Sequence, residues 1–185
     1  MKATFILGSP RKNRNTSKIS GEIAKGLQDQ GFDVQLFTLA ELDVKFCMGE
    51  KSCEKKGECI HTDDVVKIVK EMYSSQLVVV ASPSYWGDIT AQMKAFIDRT
   101  NPYCNINPLK NIHAIGTKGI AVAVRAGNSK EENDNLVHTI DHFLGHHDIP
   151  LISSFTVEGI DTVEDLANRP EVLIDAYNYA KSIRV

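Results

Sequence analysis

The segment Leu77–Ala81 reads Leu-Val-Val-Val-Ala and is followed directly by Ser-Pro-Ser-Tyr-Trp-Gly-Asp-Ile at residues 82–89. A short apolar run rich in β-branched residues is typical of a parallel strand that helices cover on both faces. In open α/β sheets, ligands bind outside the carboxyl ends of such strands. The segment therefore predicts a buried central strand with a candidate binding loop immediately after it.

Strand and helix patterns alternate along the rest of the chain. Further strands are predicted at Ala3–Leu7, Val34–Thr38, Gly119–Val124 and Leu151–Val157. Helices are predicted from Thr16 to about Gln30, from Asp63-Asp64 onward, over Ala91–Thr100, over Asn133–His146, and from Thr162 with a break at Pro170. Residues 39–62 are irregular, charged and rich in cysteine. Five strands alternating with helices predict an α/β fold with a parallel sheet and right-handed crossovers.

The composition limits the class of protein. The 185 residues include 42% hydrophobic and 24% charged residues, which fits a single globular domain over residues 1–185. A net charge of −3 argues against nucleic acid and anionic membranes as partners. The apolar run after Met1-Lys2 is too short for a signal peptide, and no run is long enough to span a membrane. We therefore expect a cytoplasmic protein, in which four cysteines serve as thiols or ligands rather than disulfides.

The loop after the first strand, Gly8–Ser17, has the properties of an anion site. It carries hydroxyl and amide side chains at the start of a helix, where the first N–H groups are unpaired and the helix dipole is positive. Arg11, Lys12 and Arg14 add positive charge. The loop matches neither G-x-G-x-x-G nor G-x-x-x-x-G-K-[ST], so it favours a monophosphate ester over a pyrophosphate. The alternative is an ordinary polar loop in which Thr16 caps the helix.

The loop at residues 82–89 offers a flat platform. Tyr85 and Trp86, the only tryptophan, supply planar faces, and Gly87 would let a ligand approach the main chain closely. These features predict a planar ring system as ligand. The alternative is that the two aromatic residues cap the core or form a subunit interface.

Both loops, at their observed separation, resemble a known family. Gly-Ser-Pro-Arg-Lys-x-x-x-Thr-Ser at residues 8–17 is similar to the FMN-phosphate loop of NADPH-dependent FMN reductases and of their iron–sulfur flavoprotein relatives. Ser82–Arg99 resembles the family's flavin-ring loop and the helix that follows it. Cys59-Ile60-x-x-Asp63-Asp64 resembles its Cys-x-x-x-Asp-Asp element. The match is good over residues 3–99 and loose thereafter.

The resemblance implies a flavodoxin-like three-layer sandwich whose five parallel strands are ordered 2-1-3-4-5. It also implies FMN as cofactor, NAD(P)H as co-substrate, and a homodimer or homotetramer with the flavin near a subunit interface. Carried over by motif, the phosphate would be held by Ser9, Arg11, Asn15, Thr16 and Ser17. The flavin ring would be lined by Pro83, Ser84, Tyr85, Trp86 and Gly87, with a weaker third contact at Arg125 and Gly127.

The cysteine segment departs from the family's iron–sulfur branch, which resembles C-x2-C-x2-C-x(4–7)-C. Cys47, Cys53 and Cys59 are present, but Glu50 stands where the second cysteine would be. A four-iron cluster requires four thiolates, so the sequence disfavours a cluster unless Cys104 supplies the fourth. Zinc bound by the three cysteines and His61 would lack the usual C-x2–4-C spacing. We expect a loop with reduced thiols, inherited from a cluster-binding architecture, and no bound metal.

The resulting hypothesis is an NAD(P)H-dependent flavin oxidoreductase that passes electrons to a small acceptor such as a quinone or a flavin. The cofactor would carry the chemistry, so no catalytic side chain is predicted. Main-chain N–H groups of residues 82–89, with Arg125, would stabilise negative charge on the reduced ring.

The alternatives are an electron carrier of flavodoxin or iron–sulfur flavoprotein type, whose usual acidic face is missing here, and a redox-sensing or metal-binding module built on the cysteines. A phosphatase on this kind of sheet is excluded, because no cysteine is followed by arginine at Cys-x5-Arg spacing. His138, His142 and His146 are predicted to form a solvated or interface stripe.

Overall fold

The computed structural model describes residues 1–185 and contains a five-stranded, wholly parallel sheet. The strands are β1 (Lys2–Leu7), β2 (Asp33–Thr38), β3 (Leu77–Pro83), β4 (Lys118–Val124) and β5 (Leu151–Val157). Their order in the sheet is β2-β1-β3-β4-β5. The predicted strand positions and the predicted order 2-1-3-4-5 are therefore confirmed.

Helices cover both faces of the sheet. The helices are α1 (Asn15–Gln28), α2 (Ser52–Lys56), α3 (Val65–Ser74), α4 (Ala91–Arg99), α5 (Lys130–Gly145), α6 (Val163–Ala167) and α7 (Pro170–Ser182), with 3-10 turns at Leu39–Glu41 and Asn101–Tyr103. Helices α1 and α7 pack on one face, and α3, α4 and α5 pack on the other. The predicted three-layer sandwich is confirmed. None of the helices combines the length and the apolar character needed to cross a membrane.

The central strand β3 shows why the layers form. Its residues 77–82 are all buried, and successive side chains point to opposite faces. Leu77, Val79 and Ala81 belong to one core cluster, whereas Val78 and Val80 belong to the other. Each cluster contains 21 buried residues, so the two cores are equal in size. A strand that supplies both cores must be apolar at every position, which is what the Leu-Val-Val-Val-Ala run encodes.

Two local expectations differ from the structure. Helix α1 begins at Asn15, and the residue before it, Arg14, occupies the capping position without a side-chain bond, so the alternative in which Thr16 caps this helix is wrong. Residues 39–62 are less irregular than expected, because they include a 3-10 turn and the short helix α2. The predicted break at Pro170 is confirmed, since this proline opens α7.

The buried hydroxyl of Thr90 fixes the two predicted binding loops relative to each other. It caps α4 by accepting from the Met93 N–H at 3.2 Å, and it donates to the Gly8 carbonyl at 2.6 Å. The Thr90 N–H donates to Ser82 Oγ at 3.1 Å. Gly8 must lack a side chain, because a Cβ there would lie 2.9 Å from Met93 Cβ. The ends of β1 and β3 and the start of α4 are thus joined at one point.

A neutral histidine is buried behind α5. His147 is 1% exposed, its Nδ1 lies 2.5 Å from the Tyr73 hydroxyl, and its Nε2 lies 3.0 Å from Thr100 Oγ1. Burial, with smaller contributions from the charges of Lys110 and His146, lowers the pKa of His147 from 6.5 to about 3. Asp148 opposes this shift. The folded protein therefore keeps this ring uncharged at pH values where an unfolded chain would protonate it.

We expect this histidine to make the protein less stable in mild acid. Its folded pKa is depressed, so its contribution to stability is complete above pH 6.5 and is lost as the pH falls toward 3. Its contribution to the free energy of unfolding falls by at most about 1.4 kcal/mol per pH unit, which amounts to roughly 2 kcal/mol between about pH 6.5 and about pH 5. Urea unfolding of wild type and His147→Gln should show a shallower pH dependence in the variant. His138→Gln, at an exposed position on α5, is the control; equal slopes for wild type and His147→Gln would contradict the assignment.

Candidate functional site

A cleft opens at the carboxyl edge of the sheet, where the strand order reverses between β1 and β3. This is the position at which open α/β sheets bind ligands. Most of the residues predicted to bind the cofactor line its first cavity: Ser9, Arg11, Asn15, Thr16, Pro83, Ser84 and Tyr85. The cavity has a volume of about 70 Å³, which suits a phosphate-sized group and not a tricyclic ring.

The N-terminus of α1 supplies free donors to this cavity. The N–H groups of Asn15, Thr16 and Ser17 make no main-chain hydrogen bond, as expected for the first turn of a helix. Ser9 shapes the loop, because its Oγ accepts from the Arg11 N–H at 3.2 Å. Free N–H groups at the positive end of a helix form a site for an anion.

The side chain of Asn15 joins two segments of the fold. Its amide nitrogen donates to the Asp161 carbonyl at 3.1 Å and to the Thr162 carbonyl at 2.9 Å, which ties α1 to the loop after β5. The side-chain oxygen is buried without a partner. Only the main-chain N–H of Asn15 remains available to a phosphate.

The three cations of the loop are not equivalent. Arg11 lies 3.9 Å from Asp161, and Lys12 pairs with Glu41 at 2.8 Å. Arg14 lines the cavity and pairs with no carboxylate. Arg14 is therefore the cation whose charge would be fully available to a bound anion. Its position in the sequence predicted only a contribution to the positive charge of the loop.

Residues 85–88 form a tight turn that displays the tryptophan. Tyr85 and Asp88 exchange main-chain hydrogen bonds of 2.9 and 3.2 Å, and Trp86 and Gly87 between them have φ angles of +56° and +76°. A positive φ is unfavourable for an aromatic residue, and such strain concentrates at functional sites. Trp86 is fully exposed. The turn is held from α5, where Asn135 Nδ2 donates to the Gly87 carbonyl at 2.7 Å.

A second, more open cavity of about 370 Å³ continues from the first, with which it shares Ser84 and Ala126. It brings together the remaining predicted ring contacts, which are Trp86, Gly87, Arg125 and Gly127. Ser17 lines neither cavity. The two adjoining cavities, which together we call the cleft, have the N-terminus of α1 at one end and an aromatic turn at the other.

Three lining residues were not predicted from the sequence. Ile160 and Asp161, in the loop after β5, line the first cavity, and Glu132, in the first turn of α5, lines the second. They come together because the loop after β5 bonds to the loop after β4, with the Ile160 N–H donating to the Arg125 carbonyl at 3.0 Å. No local motif marks these residues. The acidic first turn of α5 was the only available signal for Glu132.

The cysteines lie apart from this cleft. Cys47, Cys53 and Cys59 line a cavity of about 170 Å³ together with Glu50. Cys104 is buried, contacts the Asn101 carbonyl at 3.0 Å, and lines a neighbouring cavity that also reaches Cys47. All four are free thiols, and no three His, Cys, Asp or Glu side chains converge as metal ligands. The donor set of three thiols and one carboxylate does not fit a four-thiolate cluster.

The Cys-x-x-x-Asp-Asp element has a structural role. Asp63 and Arg99 form a fully buried ion pair with an Nη1–Oδ2 distance of 2.5 Å. Burial on its own would raise the pKa of Asp63, but hydrogen bonds from Arg99 and from the Lys45 and Val65 N–H groups hold it below its usual value. Arg99 also donates to the Lys45 carbonyl at 2.9 Å. The pair thus anchors the cysteine segment to α4. In the histidine stripe, which was predicted to be solvated or to form an interface, His138 and His142 are exposed, whereas His146 is half-buried with its Nδ1 3.3 Å from Asn105 Oδ1.

The chain matches a family model, individual proteins of known sequence, and solved structures. The sequence model of the family described as NADPH-dependent FMN reductase matches residues 1–159. A protein of Archaeoglobus fulgidus named iron-sulfur flavoprotein is 40% identical over 132 residues, which is 71% of this chain and 58% of that protein. An iron-sulfur flavoprotein of Methanocaldococcus jannaschii is 31% identical over 79% of this chain and 73% of its own. The chain thus matches less than two thirds of the length of the first of these relatives.

Solved structures confirm the fold. NAD(P)H:quinone oxidoreductase from Methanothermobacter marburgensis superposes with a TM-score of 0.74 at 15% identity, over 100% of this chain and 96% of that one. An azoreductase from Bacillus anthracis gives a TM-score of 0.73 at 15% identity, over 99% and 100% of the two chains. At this level of identity the likeness shows a shared fold.

Glu50→Cys should convert the cysteine cavity into a cluster site. The change completes the C-x2-C-x2-C pattern between Cys47 and Cys53, with Cys59 as fourth ligand. After anaerobic reconstitution with iron and sulfide, we expect about four iron atoms per chain in this variant and fewer than about one in wild type. Iron analysis and visible absorption provide the measurement. Glu54→Cys adds a thiol to the same cavity outside the pattern and should bind no more iron than wild type. Four iron atoms in the wild-type protein would contradict the donor-set argument.

Proposed function

Because this chain belongs to the NADPH-dependent FMN reductase family, we propose that it is an FMN-dependent NAD(P)H oxidoreductase that passes electrons from a nicotinamide to a small acceptor, such as a quinone or a flavin. The observation that carries this proposal is the cleft formed by the two adjoining cavities. Free helix N–H groups and an uncompensated Arg14 lie at one end of it, and a strained, exposed aromatic turn lies at the other.

The residues at the α1 end fit the phosphate of FMN. The N–H groups of Asn15, Thr16 and Ser17 would donate to its oxygens, and Arg14 would neutralise its charge. Arg11 is shared with Asp161, so it would contribute less. Asp161 also repels a second phosphate near the cavity, which favours a monophosphate over a dinucleotide.

The turn at residues 85–88 fits the ring. Pro83, Ser84 and Tyr85 would form its inner edge, and Trp86 would present its indole at the outer edge. The N–H groups of Trp86 and Gly87 make no main-chain hydrogen bond and would donate to ring oxygens or nitrogens. When bound, FMN would supply the electron-transfer chemistry, and the protein would position it and set its electrostatic surroundings. We assign no side chain as acid or base.

The open side of the second cavity would receive the nicotinamide and then the acceptor. Trp86 is fully exposed, as expected for an aromatic residue that contacts a substrate or a second subunit. We therefore include in the proposal a homodimer or homotetramer with the flavin near the subunit interface, in the cytoplasm.

Turnover separates an oxidoreductase from an electron carrier. The protein reconstituted with FMN should show two flavin absorption bands that NAD(P)H bleaches, and it should consume NAD(P)H continuously when a quinone is added. A carrier without its own turnover would accept FMN but would not consume NAD(P)H in the steady state. A protein that takes up no FMN would contradict the proposal as a whole.

Arg14→Gln should weaken FMN binding by roughly tenfold or more, because hydrogen bonds to charged groups contribute about 1.5–3 kcal/mol. Flavin fluorescence titration gives the affinity. Lys18→Gln removes the same charge from an exposed position on α1 that lines neither cavity, and it should change affinity less than about twofold. Riboflavin, which lacks the phosphate, should bind wild type and Arg14→Gln equally. If Arg14→Gln lost affinity equally for FMN and for riboflavin, the assignment of Arg14 to the phosphate would be refuted.

A further inference from the structure

An ion pair lies at the ring end of the cleft. Arg125, directly after β4, and Glu132, in the first turns of α5, have an Nη1–Oε2 distance of 2.9 Å. Both line the second cavity with Trp86 and Gly87. The electrostatic fields of two opposite unit charges in contact cancel at all but short distances, so this end of the cleft has little net charge.

Glu132 is in direct contact with the turn that would bind the ring. Ser84 Oγ donates to its Oε2 at 3.2 Å, so one carboxylate oxygen serves both Ser84 and Arg125. A Cβ built on Gly87 would lie 3.7 Å from Glu132 Cδ, which places the carboxyl group against the main chain of the turn. The charge of Glu132 is therefore close to whatever occupies the ring position.

Arg125 is held in place by its surroundings. Its side chain is 16% exposed, its Nη1 also donates to the Ser129 carbonyl at 3.2 Å, and its Nε is buried without a partner. A Cβ at Gly127 would lie 2.5 Å from Arg125 Nη2, so the guanidinium lies directly against this glycine and would have to shift if the position carried a side chain. Only Glu132 balances the charge of Arg125.

We propose that Glu132 is a positioning residue that neutralises Arg125 and thereby keeps the reduction potential of the bound flavin low. This inference rests on the proposed function. The reduced ring carries more negative charge than the oxidised ring, so an unbalanced cation beside it would favour reduction. Pairing with Glu132 removes that advantage and makes the reduced flavin a stronger donor to its acceptor. Of the groups expected to stabilise the reduced ring, the main-chain N–H groups of residues 82–89 keep that role, whereas the charge of Arg125 is balanced by Glu132.

The test measures the midpoint potential of bound FMN by equilibration with a redox dye. Glu132→Gln should bind reduced FMN about tenfold more tightly relative to oxidised FMN, which corresponds to a rise of about 30 mV for a two-electron couple. Arg125→Gln should lower the potential. The double variant, which removes both charges, should return near to wild type.

Glu131→Gln is the matched control. Glu131 is exposed and lies on the same first turn of α5. Glu131→Gln therefore changes the net charge of the protein and the charge at the N-terminus of α5 as much as Glu132→Gln does, but it leaves the lining of the cleft unchanged. We expect a shift below about twofold in relative affinity for this variant, because exposed charges are screened. Thermal unfolding of each apo variant would show whether a shift reflects loss of structure.

The outcomes distinguish the two levels of the proposal. FMN binding with an unchanged potential in Glu132→Gln, or an equal shift in Glu131→Gln, would overturn the role of Glu132 and leave the proposed function standing. Failure of the wild-type chain to bind FMN would overturn both. A rise in Glu132→Gln that the double variant reverses would establish the charge balance.

Discussion

The buried hydroxyl of Thr90 is the interaction on which the site depends. It joins the Gly8 carbonyl to the N-terminus of α4, while its N–H group bonds to Ser82. A buried hydrogen bond of this kind stabilises by about 1 kcal/mol, but an unpaired Gly8 carbonyl would cost about 1–3 kcal/mol. Both loops of the cleft start from this point, so the spacing between the anion site and the ring loop follows from it.

The cleft is electrostatically graded along its length. At the α1 end, free N–H groups and Arg14 present positive charge, whereas Arg11 is partly balanced by Asp161. At the other end, Arg125 is balanced by Glu132. A ligand with one anionic end and one neutral planar end matches this gradient, since desolvated charges must be paired and neutral groups are best placed where no net field acts on them. Such a gradient would orient the proposed ligand as well as contribute to its binding.

Polar contacts hold the cysteine segment against the rest of the fold. Asp63 and Arg99 form its buried anchor, and Asn107 Nδ2 donates to the Cys53 carbonyl at 3.2 Å. Proteins that depend on a metal for folding use its binding free energy to order the loops that hold it. In this chain the Lys45 N–H donates to Asp63 and Arg99 donates to the Lys45 carbonyl, so protein groups contribute to the order of the segment. Relatives of the chain are named iron-sulfur flavoproteins, whereas this chain has Glu50 beside its three clustered thiols.

The sequence by itself determined the strands and the two loops of the cleft, whereas the order of the strands followed from the family resemblance of those loops. Apolar runs such as Leu77–Ala81 encode buried strands locally, and the two loop motifs carried the family resemblance. Local patterns also placed Ser9, Thr16 and Tyr85 at one site, because the ends of parallel strands share an edge. These features depend on residues close together in the chain.

Only the tertiary structure decided which groups complete the site and how their charges pair. Asp161 reaches α1 across a separation of 146 residues through the Asn15 amide, and Glu132 meets Ser84 across 48 residues. Such contacts depend on strand register, loop conformation and side-chain packing, none of which leaves a periodic signal in the sequence. The same reason explains why the sequence favoured Arg11 as the phosphate-binding cation, whereas the fold pairs Arg11 and Lys12 with carboxylates and leaves Arg14 without one.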